Sequence, residues 1–275
     1  MKRLRPLPLL AALLAGCPSA APPTTQDQLV ETLPDPANAP VAIADGRLNC
    51  LGQAQPAATA GALELTGYVR TLADPDGLQP VPAATVEAFL PDGTSLGSTG
   101  ADVTKRGRVS LSVPVQASGF AGYAVVQQAG YLDWRLQSSR PKTTTDLDGW
   151  AFLTTQTEVN SRAATLGITP AAGTGLLVGA VHDCDGFGVA NAVVVVGTGT
   201  QAVDYVEGFD VAATRSYTSS TGRFAVANLP PGAITVKAFG RLKAGGPLTL
   251  LSAAQATVTV GAMTAVDLAP RTDAP

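Results

Sequence analysis

Gly222-Arg223-Phe224-Ala225-Val226, Leu229-Pro230-Pro231-Gly232 and Ala233-Ile234-Thr235-Val236-Lys237-Ala238 decide the architecture. Apolar and polar residues alternate on both sides of a proline- and glycine-rich corner. That is the period of a half-buried strand, a reversal, and a second strand. Upstream, Leu176-Leu177-Val178-Gly179-Ala180-Val181 and the run Val189 to Val196 read as two more strands, with Asp185-Gly186 as the turn between them. Downstream, Ala256-Thr257-Val258-Thr259-Val260-Gly261 and Ala265-Val266-Asp267-Leu268 close the set. Short strands punctuated by turn signals argue for a β-sandwich.

A second set lies about 110 residues earlier. Leu63 to Val69, Val81 to Phe89, Gly107 to Pro114 and Gly122 to Val126 read as its strands, with turns at Asp74-Pro75-Asp76-Gly77 and Asp92-Gly93. The expected fold is therefore all-β: two tandem Ig-like sandwiches, joined by a segment with one short helix. Thr155 and Glu158 have the spacing of a capping box, which predicts a helix over Gln156 to Leu166. Val159, Ala163 and Leu166 fall on one face, Gly167 can end it and Pro170 cannot continue it. Trp150 is expected to anchor this helix. The division that follows is a signal over 1–16, a Pro/Ala-rich tether over 17–48, a first sandwich over 49–140, a connector over 141–174 and a second sandwich over 175–270.

The order Gly-x-Val, Asp-Gly turn, Val-x-x-Ala-x-Val, Thr221-Gly222-Arg223-Phe224, Leu229-Pro230-Pro231-Gly232, Val236-Lys237-Ala238 resembles the carboxypeptidase regulatory-like domain. The earlier set lacks the Pro-Pro-Gly corner. The resemblance implies a transthyretin-like, prealbumin-type sandwich used as an accessory module, without catalysis. Related surface sandwiches carry a Lys–Asn crosslink; here the opening strands hold no lysine and the closing strand no asparagine, so none is expected.

At the N-terminus, Lys2, Arg3 and Arg5 precede an apolar run from Leu7 to Leu14 that ends in Leu14-Ala15-Gly16-Cys17. The run is far shorter than the roughly 20 residues needed to cross a bilayer. It resembles a bacterial lipoprotein signal, cut before a cysteine that carries lipid; the plainer alternative is a secretory signal with a chance cysteine. Lipid on Cys17 gives an expected membrane attachment, and Pro18 in place of aspartate points by analogy to the outer membrane of the cell envelope. Pro22-Pro23, Pro34, Pro36 and Pro40 describe a semi-rigid spacer.

The chain has 275 residues, 45% hydrophobic and only 14% charged, with a net charge of -3. A core can be buried, and phosphate-driven binding of nucleic acid is not expected. With Cys17 lipidated, Cys50 and Cys184 remain as a candidate disulfide, or as two separate thiols. Closing so long a loop contributes about 4 to 5 kcal/mol in the chain-entropy model. The bridge would pin the segment before the first sandwich onto the second.

Nothing marks out a reaction. Asp-x-Asp-Gly occurs at Asp74, Asp146 and Asp183; calcium is one reading, and turn chemistry is the simpler one. His182, the only histidine, reads as a satisfied strand-end residue, since zinc needs three or four ligands. No catalytic residue, cofactor or metal is called for. Trp134 with Tyr131, and Trp150, are the candidates for a sugar platform, although packing at a strand end suits Trp134 better and anchoring the helix suits Trp150 better. Tyr205, Phe209 and Tyr217 mark the long insertion Thr198 to Ser220 as a candidate contact surface. The expected role is a non-catalytic envelope lipoprotein that scaffolds or binds another surface protein. A carbohydrate-binding lipoprotein is the alternative and an envelope hydrolase the last choice.

Overall fold

The computed structural model describes residues 47–59, 61–74, 83–143, 146–165, 167–199, 201–207, 210–211 and 215–271. The signal, Cys17 and nearly all of the tether lie outside these residues, as do Leu166, Phe209 and the side chain of Trp150.

The first lobe opens with β1 (Gly61–Thr71), whose Leu63, Leu65 and Val69 are buried. β1 pairs antiparallel with β4 (Arg108–Val115), placing Leu65 opposite Leu111 and Leu63 opposite Val113. Strict alternation along β4 fixes this register, because a one-residue slip would turn Val109, Leu111, Val113 and Val115 to water. Pro114 is tolerated since β4 is an edge strand. The opposing layer holds β2 (Thr85–Phe89), β3 (Ser95–Gly100), β5 (Tyr123–Gln127) and β6 (Asp133–Ser138).

The segment expected to be only a connector contains a further strand, β7 (Asp146–Leu153), parallel to β1. Asp146-Leu147-Asp148-Gly149, read from sequence as a turn, lies in this strand. Turn propensity loses to the sheet because Ala151, Phe152 and Leu153 downstream are buried in the lobe. The expected helix is present as α1 (Gln156–Thr165). Thr155 N donates to Glu158 Oε2 (2.7 Å) and Glu158 N to Thr155 Oγ1 (3.2 Å), the reciprocal cap anticipated. At the other end Gly167 has φ 70°, its N–H reaches Ala164 O, and Ile168 N reaches Ala163 O. This is a Schellman stop.

The second lobe packs β9 (Val193–Val196), β13 (Gly232–Arg241) and β14 (Leu248–Val258) against β8 (Gly175–Val181), β10 (Asp204–Glu207), β11 (Asp210–Val211), β12 (Arg223–Leu229) and β15 (Ala262–Leu268). Phe224, Leu177, Leu229, Leu251 and Leu268 are fully buried there, each contributing about 1.5 to 3 kcal/mol over exposure. All four valines of β9 are buried: Val194 and Val196 face this core, while Val193 and Val195 pack with Phe239 and Leu248 on the opposite face. Gly222 allows β8 and β12 to approach at their ends. Its φ is 68°, and a Cβ there would sit 2.2 Å from Val181 O.

The all-β class and the paired sandwiches are as expected from sequence. Their relation is not: the lobes share one sheet, in the order β11-β10-β12-β8-β15-β6-β5-β2-β3. The last strand, β15, joins them by pairing parallel to β8 on one side and to β6 on the other. Within the insertion Thr198 to Ser220, β10 pairs antiparallel with β12. Tyr205 is 4% exposed and its hydroxyl accepts from Val194 N (3.0 Å), so it belongs to the core and not to a contact surface.

Cys50 and Cys184 are disulfide-bonded. Around them Cys184 N donates to Arg47 O (2.9 Å), Gly52 N to Arg271 O (2.9 Å), and Leu48 enters the second core. The end of the expected tether is therefore folded in. Asp183, buried, accepts from Asp185 N and Phe187 N (both 2.9 Å) through Oδ1 and pairs with Arg47 through Oδ2. Its carboxylate organises the Asp-Cys-Asp-Gly turn.

Replacing both cysteines by serine is expected to lower the unfolding free energy by up to about 4 to 5 kcal/mol. Urea denaturation checks the loss. Hydrogen exchange over residues 47–52 should rise before global unfolding.

Candidate functional site: a groove on the shared sheet

A strand in the middle of a sheet presents alternate side chains to opposite faces. On β8 and β15, Leu177, Val181, Val266 and Leu268 face the second core, while Leu176, Val178, Met263 and Ala265 turn to the other face. That face is continuous with Trp134 and Leu136 of β6, which stand opposite Met263 and Ala265. The second lobe's covering layer packs on the first face only. α1 and the chain after it rise beside the second, leaving a groove of about 680 Å³.

Leu136, Leu176, Val178, Met263 and Ala265 form an apolar floor, with Val159 and Ala163 of α1 opposite. The rim between α1 and β8 is fastened by Asn228. Its Oδ1 accepts from Ala171 N (2.8 Å) and its Nδ2 donates to Thr169 O (3.0 Å). Asn228 does this from φ 59°, a left-handed conformation that asparagine tolerates.

One end is charged. Phe120 and Lys142 exchange two backbone hydrogen bonds of 2.8 Å, which fixes Lys142 beside β15. Lys142 Nζ then lies 2.9 Å from Asp267 Oδ2, and His182 Nδ1 lies 2.7 Å from Asp267 Oδ1. Burial alone would raise the Asp267 carboxyl. The His182 contact and the Lys142 charge outweigh it and hold the group well below the usual carboxylate range. Along the far wall, burial pushes the Asp204 carboxyl up and the Arg223 guanidinium down. Ser138 and Trp134 also line the groove, and their Oγ and Nε1 are buried without a hydrogen-bond partner among the described residues. Ser138 Oγ makes no bond to His182, so Ser138, His182 and Asp267 do not form a nucleophilic relay.

Trp134, Tyr205 and Tyr217, singled out from sequence, are not brought together. Trp134 lies in the groove at 6% exposure, edge-on to Phe152 with ring centroids 6.3 Å apart. It offers no open platform for a sugar ring. Tyr205 is in the second core, and Tyr217 packs near Val193 and Val195 on the outer face of β9. Lys142, Ser138 and Asp267 were missed. The available signal was a lone aspartate at a position of β15 whose neighbours Val266 and Leu268 are apolar.

No protein-family model matches the chain, and no curated protein matches its sequence. The likeness to carboxypeptidase regulatory-like domains thus rests on the quoted motifs alone. Among solved structures, the chain is similar to the Bacillus anthracis TIE protein (13% identity, 77% of this chain and 34% of that one, TM-score 0.24). It is also similar to a streptococcal ancillary pilin (12%, 76% and 62%, TM-score 0.23) and to GBS52, the minor pilin of Streptococcus agalactiae (12%, 78% and 97%, TM-score 0.23). The chain spans about a third of the first and less than two thirds of the second. Overlaps this low assign neither partner nor activity.

Because its pKa is depressed on folding, Asp267 stabilises the fold above the ordinary carboxylate range, and that contribution is lost as pH falls below about 4. Thermal midpoints should therefore separate wild type from Asp267→Asn at about pH 6. The gap should narrow steadily as the pH is lowered towards about 2.

Proposed function

We propose that this chain is a non-catalytic interaction module of the cell envelope, held to the membrane by lipid on Cys17 and spaced from it by the Pro/Ala-rich tether. Its folded part is a pair of sandwiches joined through one sheet, the expected 49–140 unit extended by β7 and the 175–270 unit resembling the accessory carboxypeptidase regulatory-like module. The groove is its binding surface, and the occupant is an extended apolar segment of a partner protein.

One observation carries this reading: Trp134 Nε1–H and Ser138 Oγ are both buried in the groove without partners among the described residues. Each is costly to leave unpaired, by about 1 to 3 kcal/mol. They are four residues apart on one strand face, a span of roughly 13 Å. An extended peptide lying along β6 repeats its own carbonyls over the same span, with apolar side chains down on Leu136, Val178 and Ala265. The volume also falls within the range of about 300 to 1,000 Å³ typical of ligand pockets.

Selection of a displayed peptide library on the full chain is expected to enrich apolar sequences that shift the Trp134 indole N–H resonance. Val178→Asp, with its fold checked by circular dichroism, should weaken them at least ten-fold. Peptides indifferent to Val178→Asp would refute the groove as the site, and glycan binding that depends on Trp134 would favour a sugar instead. Independently, labelled fatty acid should attach to wild type and not to Cys17→Ser; equal labelling rules out the anchor.

A further inference from the structure

On the face of β6 opposite the groove lies a second, smaller cavity of about 120 Å³, at the seam where the lobes meet. The walls come from Ser139 and Arg140 just after β6, from β14 and from the chain after β15. Ser139 N donates to Asp267 O (2.8 Å), and Ser139 Oγ both accepts from Ala269 N (2.9 Å) and donates to Ala269 O (3.3 Å). These bonds set Arg140 on one wall. Arg271 N donates to Leu251 O (2.8 Å), which sets Arg271 on the facing one. Both arginines line the cavity, and among the described residues its lining contains no aspartate or glutamate. No ion pair among the described residues engages Arg140.

The third wall is the informative one. The register of β13 with β14 shifts between Ala238 and Phe239, where Ser252 and Leu250 are the partners and Leu251 is left over. The resulting bulge buries two consecutive residues, Leu251 and Ser252. Leu251 joins the core, while Ser252 meets the cavity at 1% exposure with no partner for its Oγ among the described residues. An orphaned hydroxyl at a position where alanine would pack needs an explanation. A cavity holding about four waters' share of volume, lined by Arg140, Arg271 and one buried hydroxyl, suits a compact acceptor with negative charge.

We propose that this cavity is an oxyanion site that takes a phosphate group. Guanidinium is suited to phosphate because its planar N–H fork matches two oxygens at once, and the Ser252 hydroxyl supplies a further donor from below. The phosphate can be free or carried on a lipid headgroup, since the recognising atoms are the same. The site stands on different residues from the groove and does not depend on the peptide-binding reading. By tying β6, β14 and the chain after β15 to a single anion, occupancy would brace the seam between the lobes.

Calorimetric titration of the full chain with inorganic phosphate at fixed ionic strength tests the free form. Flotation with vesicles of phosphatidylglycerol in phosphatidylcholine, against phosphatidylcholine alone, tests the headgroup form. Saturable binding in either arm is expected, weakened at least ten-fold by Arg140→Gln and several-fold by Ser252→Ala. Ser252→Ala leaves the charge unchanged, so it separates a built site from general attraction to arginine. Bound anion should also raise the thermal midpoint of wild type and leave that of Arg140→Gln unmoved. Absence of binding in both arms, or binding that both variants retain in full, overturns the proposal.

Discussion

The pairing of β15 with two parallel neighbours holds this molecule together. Met263 stands opposite Leu176 on β8 and Trp134 on β6, and the same double pairing continues to Asp267. Parallel pairs need a long crossover before they can form. Here the crossover from β6 to β8 and on to β15 is most of the second lobe. Closing that seam makes one nine-stranded sheet from what would otherwise be two sheet halves. Side-chain bonds reinforce it: Thr257 N donates to Gln137 Oε1 (3.1 Å), and Lys142 Nζ reaches Asp267. Contacts that join residues so far apart in sequence are slow to form.

The chain ends are tied into the same region. Residues 47–52 come before the first lobe yet pack on the second, held by the Cys50–Cys184 bond, by Arg47 on Asp183 and by the hydrogen bond from Gly52 to Arg271. This strap crosses back over the second lobe from the N-terminal side, while the sheet joins the lobes through β15. Two independent connections thus resist separation of the lobes. A hinge between two beads, the usual expectation for tandem sandwiches, is replaced by a continuous body.

The groove is a direct consequence of sharing a sheet. A sandwich covers the inner face of each of its layers. When two sandwiches share one layer, the face that serves as interior for one lobe continues past that lobe's covering sheet. Here it continues from Trp134 and Leu136 onto Met263, Ala265, Leu176 and Val178. α1 is short, and isolated helices of this length are marginal in water. Its cap, its Schellman stop and the grip of Asn228 on the following chain place it beside this face. The charged cluster of Lys142, Asp267 and His182 marks the end where the apolar surface gives way to water.

Much of the local structure was legible in the residues. Alternation along Arg108–Val115, the Thr155–Glu158 cap with Gly167, the Pro-Pro-Gly corner after Leu229 and the even pair of cysteines each carry their physical cause within a few neighbouring positions or a simple count. β7 was not legible, since Asp146-Leu147-Asp148-Gly149 has turn chemistry and becomes a strand only when β1 is there to pair with it. Nor was Tyr205, whose place in the core depends on a hydrogen bond from Val194. The groove and the cavity under Arg140 required the tertiary structure altogether. Their walls come from β6, β8, β14 and β15, which are far apart in the chain and meet only because the last strand can pair on both of its edges. Local periodicity determines what each segment becomes; which faces remain uncovered depends on how distant strands choose their neighbours.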